Sequence, residues 1–309
     1  MIMKRAIPAV IIVAGFCLLY PLQRWIDSAT PREAISEEKL YFSSGESIKR
    51  MSLGLDGLAA DIYWIRTVQY FGRKLIDSRP PGEPPSFGST KEIRMDLLAP
   101  LLDIIVTLDP QHISAYRFGA IFLPERDLAA AIKLLERGIA ANPNEWRLYQ
   151  DLAYIYWQAG NQTTGEEKAA YYAKAAEWYE RGSKVEGARD WMADMAGVMR
   201  IQGGERATAR KIYEEYAQSE EPNIRNQAAA RLRQLDSLDQ IDKINEELRK
   251  RVEQTGQCPA SLRLLARELY SKGLELNREM SPVDPEGFPY ALNAATCRAE
   301  LDKQSTIPR

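Results

Sequence analysis

The sequence predicts an all-α protein: an N-terminal transmembrane helix, a middle region of repeated helix pairs, and a small C-terminal block of helix and hairpin. Three observations lead to this prediction. An uncharged apolar run lies near the N-terminus, apolar residues recur at helical spacing along most of the chain, and short motifs repeat at the interval of a helix pair. We divide the 309 residues into four segments, 1–26, 27–92, 93–220 and 221–309.

The composition is that of an ordinary globular protein and argues against several functional classes. The chain is 45% hydrophobic and 27% charged, with a net charge of −2. A nucleic-acid-binding protein usually carries an excess of basic residues, so we expect no nucleic-acid partner. The one histidine, His112, argues against a histidine-based active site or metal site. The three cysteines leave room for one disulfide.

The apolar run at the N-terminus, residues 6–22, contains no charged side chain and follows Lys4 and Arg5. As a helix it would span roughly 25 Å, which is the short end of the range for a bilayer crossing. A cleaved signal peptide and a buried helix of a soluble protein remain open alternatives. The preceding positive charges favour a cytoplasmic N-terminus. We therefore expect a single-pass inner (cytoplasmic) membrane protein whose bulk lies on the periplasmic or extracytoplasmic side.

The second segment, 27–92, combines a stalk, an aromatic amphipathic helix and a proline-rich linker. Apolar residues at helical spacing predict one helix over about 46–76, with a broad apolar stripe that includes Leu58, Ile62, Ile65 and Phe71. This helix is also a candidate for the atypical cap of a repeat array. The prolines within residues 79–89 exclude a helix there and indicate a loop.

Short motifs recur in the third segment. Leu-Leu-Glu-Arg-Gly at 134–138 returns as Trp-Tyr-Glu-Arg-Gly at 178–182 and as Ile-Tyr-Glu-Glu-Tyr at 212–216, with offsets of 44 and 34 residues. Pro110 and Pro143, each after an acidic or amide residue, predict helix ends 33 residues apart. These intervals are typical of stacked helix pairs.

On these residues the middle of the chain resembles the tetratricopeptide repeat (TPR) family, whose unit is a helix pair of about 34 residues. Small residues and the closing proline stand at the positions where that family has them, namely Ala153, Gly160, Ala175 and Pro143. The resemblance covers about 93–217, and residues 161–170 depart from it as an insertion. An irregular helical bundle is the alternative. The resemblance implies a solenoid whose surface binds other proteins.

Aromatic residues at helical spacing in the repeats form the candidate partner-binding groove. They are Tyr154, Trp157, Tyr171, Tyr172 and Trp178. Core packing is the alternative role for each of them. The candidate groove therefore depends on which of these rings the fold leaves exposed.

The fourth segment begins with one long charged helix, or two in sequence, over 221–255. Its apolar seam would pack on the last repeat or on a partner. A Gly-x-x-Pro-x-x-Leu turn follows at Gly256, and an Asp-Pro-x-Gly-x-Pro-Tyr turn at Asp284 precedes two short runs that predict a β-hairpin. This order of parts is similar to the globular head of type II secretion pseudopilins. The pilin-type leader is absent from residues 1–30, so the similarity is confined to the C-terminal block.

Cys258 and Cys297 flank this block and are a candidate disulfide in an oxidising compartment. Closing that loop would stabilise the fold by roughly 3–4 kcal/mol in the chain-entropy model. Two unrelated buried thiols are the alternative, because spacing alone does not determine the distance between the two sulfur atoms.

No set of residues predicts chemistry, so we expect no catalytic, cofactor-binding or metal-binding residues and no enzyme activity. Asp236, Asp239 and Asp242 share a helical face, which we expect to be solvated, and a loosely held cation is the alternative. We expect a membrane-anchored scaffold that binds proteins of a membrane or envelope complex, as an assembly factor, accessory factor or subunit. A structural component of a secretion or pilus-like apparatus is the second hypothesis, and an enzyme is the third.

Overall fold

The structure of the protein is a computed structural model that describes residues 19–22, 24–25, 40, 42, 44–78, 90 and 92–309. These residues are mostly helical, which confirms the predicted all-α class. The chain divides into two compact units, one ending at Leu134 and the other beginning at Leu135.

Several predicted features lie outside the described residues. Of the transmembrane segment predicted over 6–22, only residues 19–22 are described, and they are helical. The proline-rich linker over 79–89 and nearly all of the stalk also lie outside. Among the helices that the structure does describe, none combines the length and the apolar composition needed to cross a bilayer.

The first unit is built from short helices around a buried one. It contains α1 (Gly45–Met51), α2 (Asp56–Asp77), α3 (Leu98–Leu108), α4 (Ile113–Phe122) and the beginning of α5 (Leu128–Ala141). Helix α3 is apolar on nearly every face, and most of its side chains are buried. Both α1 and α2 pack against α3, so that it forms the core of this unit.

The single helix predicted over 46–76 is wrong, because a turn separates α1 from α2. Leu53 and Gly54 both have positive φ, 51° and 88°, a region that interrupts a right-handed helix. Gly54 adopts it without a steric penalty. The hydroxyl of Ser52 then donates a hydrogen bond to the carboxylate of Asp56, the first residue of α2.

An aromatic cluster joins α2 to α4. The ring of Phe71 lies 5.1 Å from that of Phe118 and 4.3 Å from that of Phe122, between ring centroids. His112 precedes α4, and its Nδ1 accepts a hydrogen bond of 3.2 Å from the backbone N–H of Ala115. The only histidine of the chain is thus the N-cap of a helix.

The opposite face of α2 is exposed. Leu58, Ile62 and Ile65 each expose more than half of their surface. The sequence placed them in the same stripe as Phe71, which the structure buries. Helix α2 therefore carries two apolar faces, of which one forms core and the other meets solvent.

The second unit continues with a series of helices and ends in a small mixed block. Its elements are the rest of α5, α6 (Trp146–Asn161), α7 (Gly165–Ser183), α8 (Trp191–Gln202), α9 (Arg206–Tyr216), α10 (Pro222–Thr255), a 3₁₀ turn (Leu262–Leu265), α11 (Ala266–Ser271), β1 (Ala291–Asn293) and β2 (Arg298–Glu300). Each helix from α6 to α10 packs on the next. The predicted insertion at 161–170 lengthens α7, since the turn before that helix occupies only residues 162–164.

Helix α10 is one continuous helix of 34 residues that begins with Pro222. Its apolar seam packs within the second unit. Near its middle, Leu235 belongs to a buried cluster with Tyr213 of α9. Further along, Leu248 belongs to another buried cluster, together with Leu262 and Tyr290 of the C-terminal block. The long helix therefore connects the last helix pair to that block.

The C-terminal block contains the predicted hairpin, in which β1 and β2 pair antiparallel with Leu292 opposite Ala299. Polar contacts attach it to α10. The hydroxyl of Tyr290 donates to Oε1 of Gln240 over 2.7 Å, and the backbone N–H of Ala299 donates to Oδ1 of Asn245 over 2.8 Å. This short hairpin is stable because it packs on a helix.

Candidate functional site

The second unit contains two helix pairs, α6 with α7 and α8 with α9. Within each pair the two helices approach each other closely at glycines. A Cβ atom at Gly160 on α6 would lie 2.8 Å from the ring of Tyr172 on α7. A Cβ at Gly182 would lie 2.7 Å from Cβ of Tyr149, and one at Gly197 would lie 2.5 Å from the ring of Tyr213. These distances are too short for real carbon contacts, so only glycine permits the observed packing.

A partly buried polar cluster holds α8, α9 and α10 together. The hydroxyl of Tyr213 lies 3.1 Å from Oδ1 of Asp194, which also accepts a hydrogen bond of 3.2 Å from Nε of Arg231. Burial, followed by the nearby carboxylate, raises the pKa of Tyr213 above its usual range. The cluster fixes the second helix pair onto the long helix.

Exposed rings lie on the first helix of each pair. Tyr154 on α6 and Trp191 on α8 are 43% and 41% exposed, although aromatic side chains are normally well buried. Trp157 is half-buried, and its ring packs edge-on against Tyr154 with centroids 5.5 Å apart. We call Tyr154, Trp157 and Trp191 the aromatic surface.

Tyr179 of α7 connects the members of this surface. Its side chain is buried, and its ring lies 6.2 Å from that of Trp191. Burial first, and then the nearby Tyr154 and Asp151, raise the pKa of Tyr179 to about 12. One buried ring therefore lies near both Tyr154 and Trp191.

The five predicted groove residues differ in exposure. Tyr172 is buried and donates a hydrogen bond of 2.6 Å to Oδ1 of Asn161, so its ring belongs to the helix-pair core rather than to a groove. Tyr171 packs near Tyr156, with ring centroids 6.3 Å apart. Both tyrosines face the crossing of α6 and α7, where Gly160 admits the ring of Tyr172 and also contacts Tyr171.

Trp178 lies in another environment, among the side chains of α6 and α7. Its ring is 6.1 Å from that of Tyr149, and the guanidinium of Arg181 lies 4.0 Å from its centroid. This cation–π contact covers a face of the indole. Tyr154 is thus the exposed member of the predicted set, Trp157, Tyr171 and Trp178 are half-buried, and Tyr172 is buried.

The cysteines of the C-terminal block are joined. Cys258 and Cys297 form a disulfide with their Cα atoms 5.9 Å apart. Cys258 follows the end of α10, and Cys297 directly precedes β2. The bond therefore connects the end of the long helix to the hairpin. The third cysteine, Cys17, lies outside the described residues.

The acidic face of α10 is paired with arginines of α9. Arg210 contacts Asp236 at 2.6 Å and Asp239 at 2.9 Å, and Arg206 contacts Asp242 at 2.5 Å. In the part of the chain that the structure describes, no cluster of histidine, cysteine, aspartate or glutamate could hold a metal ion. The three aspartates thus stabilise the α9–α10 contact.

Two exposed features, Trp191 and one face of α2, were not predicted from the sequence. Trp191 is the first residue of α8 and its only aromatic residue, and it follows a charged turn. For α2, the signal was the regular spacing of Leu58, Ile62 and Ile65. Both features concern exposure, which a single sequence does not specify.

Comparisons of the chain with protein-family models, with curated proteins and with solved structures found no match.

Proposed function

We propose that the protein is a membrane-anchored scaffold of TPR type that binds other proteins through the aromatic surface. It would act as an assembly or accessory factor, or as a subunit, of a bacterial envelope complex. The observation that carries the proposal is the exposure of Tyr154 and Trp191 on the first helices of two successive helix pairs. Tyrosine and tryptophan are enriched among the residues that contribute most to protein–protein binding.

The rigidity of the helix pairs supports this role. Gly160 and Gly182 bring α6, α7 and α8 into close contact, which keeps the exposed rings in a fixed arrangement. A surface that is ordered before binding loses less conformational entropy when a partner docks. Repeated helix pairs serve as binding surfaces in the TPR family, which the sequence resembles.

Two features support a location outside the cytoplasm. The apolar run at 6–22 has the composition of a membrane anchor, and the preceding basic residues favour a cytoplasmic N-terminus. The disulfide between Cys258 and Cys297 persists in oxidising compartments such as the periplasm and is rare in the cytosol. Both features fit a single-pass protein whose folded units face the periplasm.

The C-terminal block favours the second hypothesis, a structural component of a secretion or pilus-like apparatus. The buried carboxylate of Asp284 accepts hydrogen bonds of 2.9 and 3.0 Å from the backbone N–H groups of Glu286 and Phe288. This ordered turn lies in the segment that is similar to pseudopilin heads. The two hypotheses differ in the identity of the bound partner.

Site-specific photocrosslinking in native membranes tests the proposal. A photoreactive residue is placed at Tyr154 or at Trp191, and at the exposed Tyr270 of α11 as the matched control. We expect the same protein to be crosslinked from both positions of the aromatic surface and not from Tyr270. Crosslinks of equal yield from all three positions, or from Tyr270 alone, would overturn the proposal.

Alanine variants give a quantitative test. In the double variant Tyr154→Ala, Trp191→Ala, the amount of the identified partner that is recovered with the protein should fall by at least about tenfold. Each of the two side chains is expected to contribute roughly 1–2 kcal/mol to the free energy of binding. Tyr270→Ala should leave recovery unchanged. Mass spectrometry of the partner then separates an envelope complex from a secretion apparatus.

A further inference from the structure

The exposed face of α2 has a regular spacing. Residues separated by alternating steps of three and four positions line this face from the N-cap to the last turn. They are Leu55, Leu58, Ile62, Ile65, Gln69, Gly72 and Ile76. This is the heptad spacing of core positions in a two-stranded coiled coil. We call these seven residues the heptad face.

The heptad face is separate from the core of its own unit. Ala60, Thr67, Phe71 and Leu75 are the buried side chains of α2, and none of them belongs to the face. Leu55, Leu58, Ile62, Ile65 and Ile76 are at least half exposed. Such a row of exposed apolar side chains on a folded protein, interrupted by Gln69 and Gly72, indicates an interaction site. At Gly72 a Cβ would meet no atom within 4 Å, so another helix can approach closely there.

The charges beside the heptad face select the partner. Asp61 precedes the core position Ile62, and Arg66 follows the core position Ile65. In a parallel, in-register pair of identical helices, the residue before an a position of the heptad faces the residue five places further along the other helix, and Ile62 occupies an a position. Asp61 of each copy would therefore face Arg66 of the other, which gives two ion pairs by symmetry.

Other arrangements lack this complementarity. Arg66 and Arg73 lie on the same side of the heptad face. In an antiparallel pair this side of one helix would face the same side of the other helix, so that arginines would meet arginines. Asp61 is mostly exposed, and its Oδ1 lies 3.9 Å from Nε2 of His112, beyond hydrogen-bond distance. Its carboxylate can therefore accept a hydrogen bond from a second chain.

We propose that the protein forms a dimer in which α2 pairs with α2 of a second copy as a parallel, in-register coiled coil. The helix is 22 residues long, about three heptads. An isolated helix of that length would be marginal, but α2 is already folded against α3 and α4. The dimer interface uses the first unit, whereas the proposed partner-binding surface lies in the second.

The mass of the full-length protein in mild detergent tests the dimer. The wild type should have the mass of a dimer by light scattering. Ile62→Asp places a charge at the centre of the heptad face and should raise the dissociation constant by about a hundredfold or more. Ile121→Asp is the matched control, since Ile121 is an exposed isoleucine of α4 outside the face, and it should remain dimeric.

A charge exchange tests the orientation. Asp61→Arg and Arg66→Asp should each weaken the dimer by about tenfold, because like charges then meet at both symmetric positions. The double variant should return to within about threefold of the wild type, because both ion pairs are restored with opposite polarity. Circular dichroism should show equal helix content in all variants. A double variant weaker than either single variant would overturn the parallel pairing.

Crosslinking in native membranes avoids any effect of detergent. In a Cys17→Ser background, Gln69→Cys places one thiol at a core position, where the two copies of a parallel dimer meet. Mild oxidation should give a covalent dimer from Gln69→Cys and not from Ile121→Cys. A monomeric wild-type mass together with no crosslink at position 69 would overturn the proposal.

Discussion

Oδ2 of Asp194 lies 3.0 Å from Nη2 of Arg231, and the two side chains are only 12% and 20% exposed. The ion pair joins α8 to α10, and the hydroxyl of Tyr213 of α9 donates a hydrogen bond to the same carboxylate. The partly buried carboxylate of Asp194 thus holds three helices together.

Removing one member of this pair should destabilise the second unit. Arg231→Ala leaves the carboxylate of Asp194 partly buried without its cation, at a cost of about 3 kcal/mol. Chemical denaturation of the full-length protein would measure the change. Arg249→Ala is the control, because Arg249 is exposed on the same helix and should change the free energy of unfolding by less than about 0.5 kcal/mol. Equal effects of the two substitutions would contradict this account.

Alanine at the helix crossings should also be destabilising. Gly160→Ala and Gly197→Ala each force a methyl group against a tyrosine ring of the neighbouring helix, which should cost about 1–3 kcal/mol. Gly57→Ala in α2 is the control, because a Cβ there meets no atom within 4 Å. It should be neutral or stabilise by up to about 1 kcal/mol, since alanine is the better helix former. Thermal unfolding midpoints that fall by the same amount in all three variants would refute the close-packing argument.

The disulfide should make a measurable contribution to stability. Cys258→Ser with Cys297→Ser removes a bridge that spans 39 residues and should lower the free energy of unfolding by about 3–4 kcal/mol. Reduction with dithiothreitol should shift the unfolding midpoint of the wild type in the same direction. The serine variant serves as its control, because the reductant should leave that midpoint unchanged.

A charge cluster between α10 and the C-terminal block should make the free energy of unfolding depend on pH. Hydrogen bonds from Lys250 and Lys272, each 2.7 Å from a carboxylate oxygen, lower the pKa of Glu246 to about 2. In the unfolded chain the pKa of the same group is about 4.3. Its contribution is therefore present above about pH 4.3 and is lost as the pH falls toward 2.

Glu246→Gln removes this titration. Between pH 6 and pH 2.5 the free energy of unfolding should fall less steeply in Glu246→Gln than in the wild type. Glu253→Gln is the matched control, because Glu253 is an exposed residue of the same helix. If the wild type and Glu246→Gln show the same slope, the cluster does not contribute to folding.

Much of the helical architecture follows from local patterns in the sequence. Apolar residues at three- and four-residue intervals predict α10, and Pro222 and Gly256 stand at its two ends. The break between α1 and α2 was harder to predict, because Leu53 adopts a positive φ that is rare for a leucine. A local pattern indicates a helix more reliably than it indicates where the helix is interrupted.

The candidate site depended on contacts between distant residues. The burial of Tyr172 follows from its position over Gly160, a relationship between two helices. Asp236 and Asp239 read as a free acidic face because their partner, Arg210, belongs to another helix. Exposure of Tyr154 and Trp191 likewise depends on how the helices pack. Sequence spacing placed these residues on helices, and only the packing determined which face each one occupies.

The close approaches at Gly160, Gly182 and Gly197 also bear on how the protein can evolve. Where an added methyl group collides with a neighbouring residue, a lineage that acquires one loses stability and is removed by selection. Exposed positions on the same helices accept almost any polar residue. Homologues should therefore keep glycine at these three positions even where their overall sequence identity is low. The three glycines would then help to identify them.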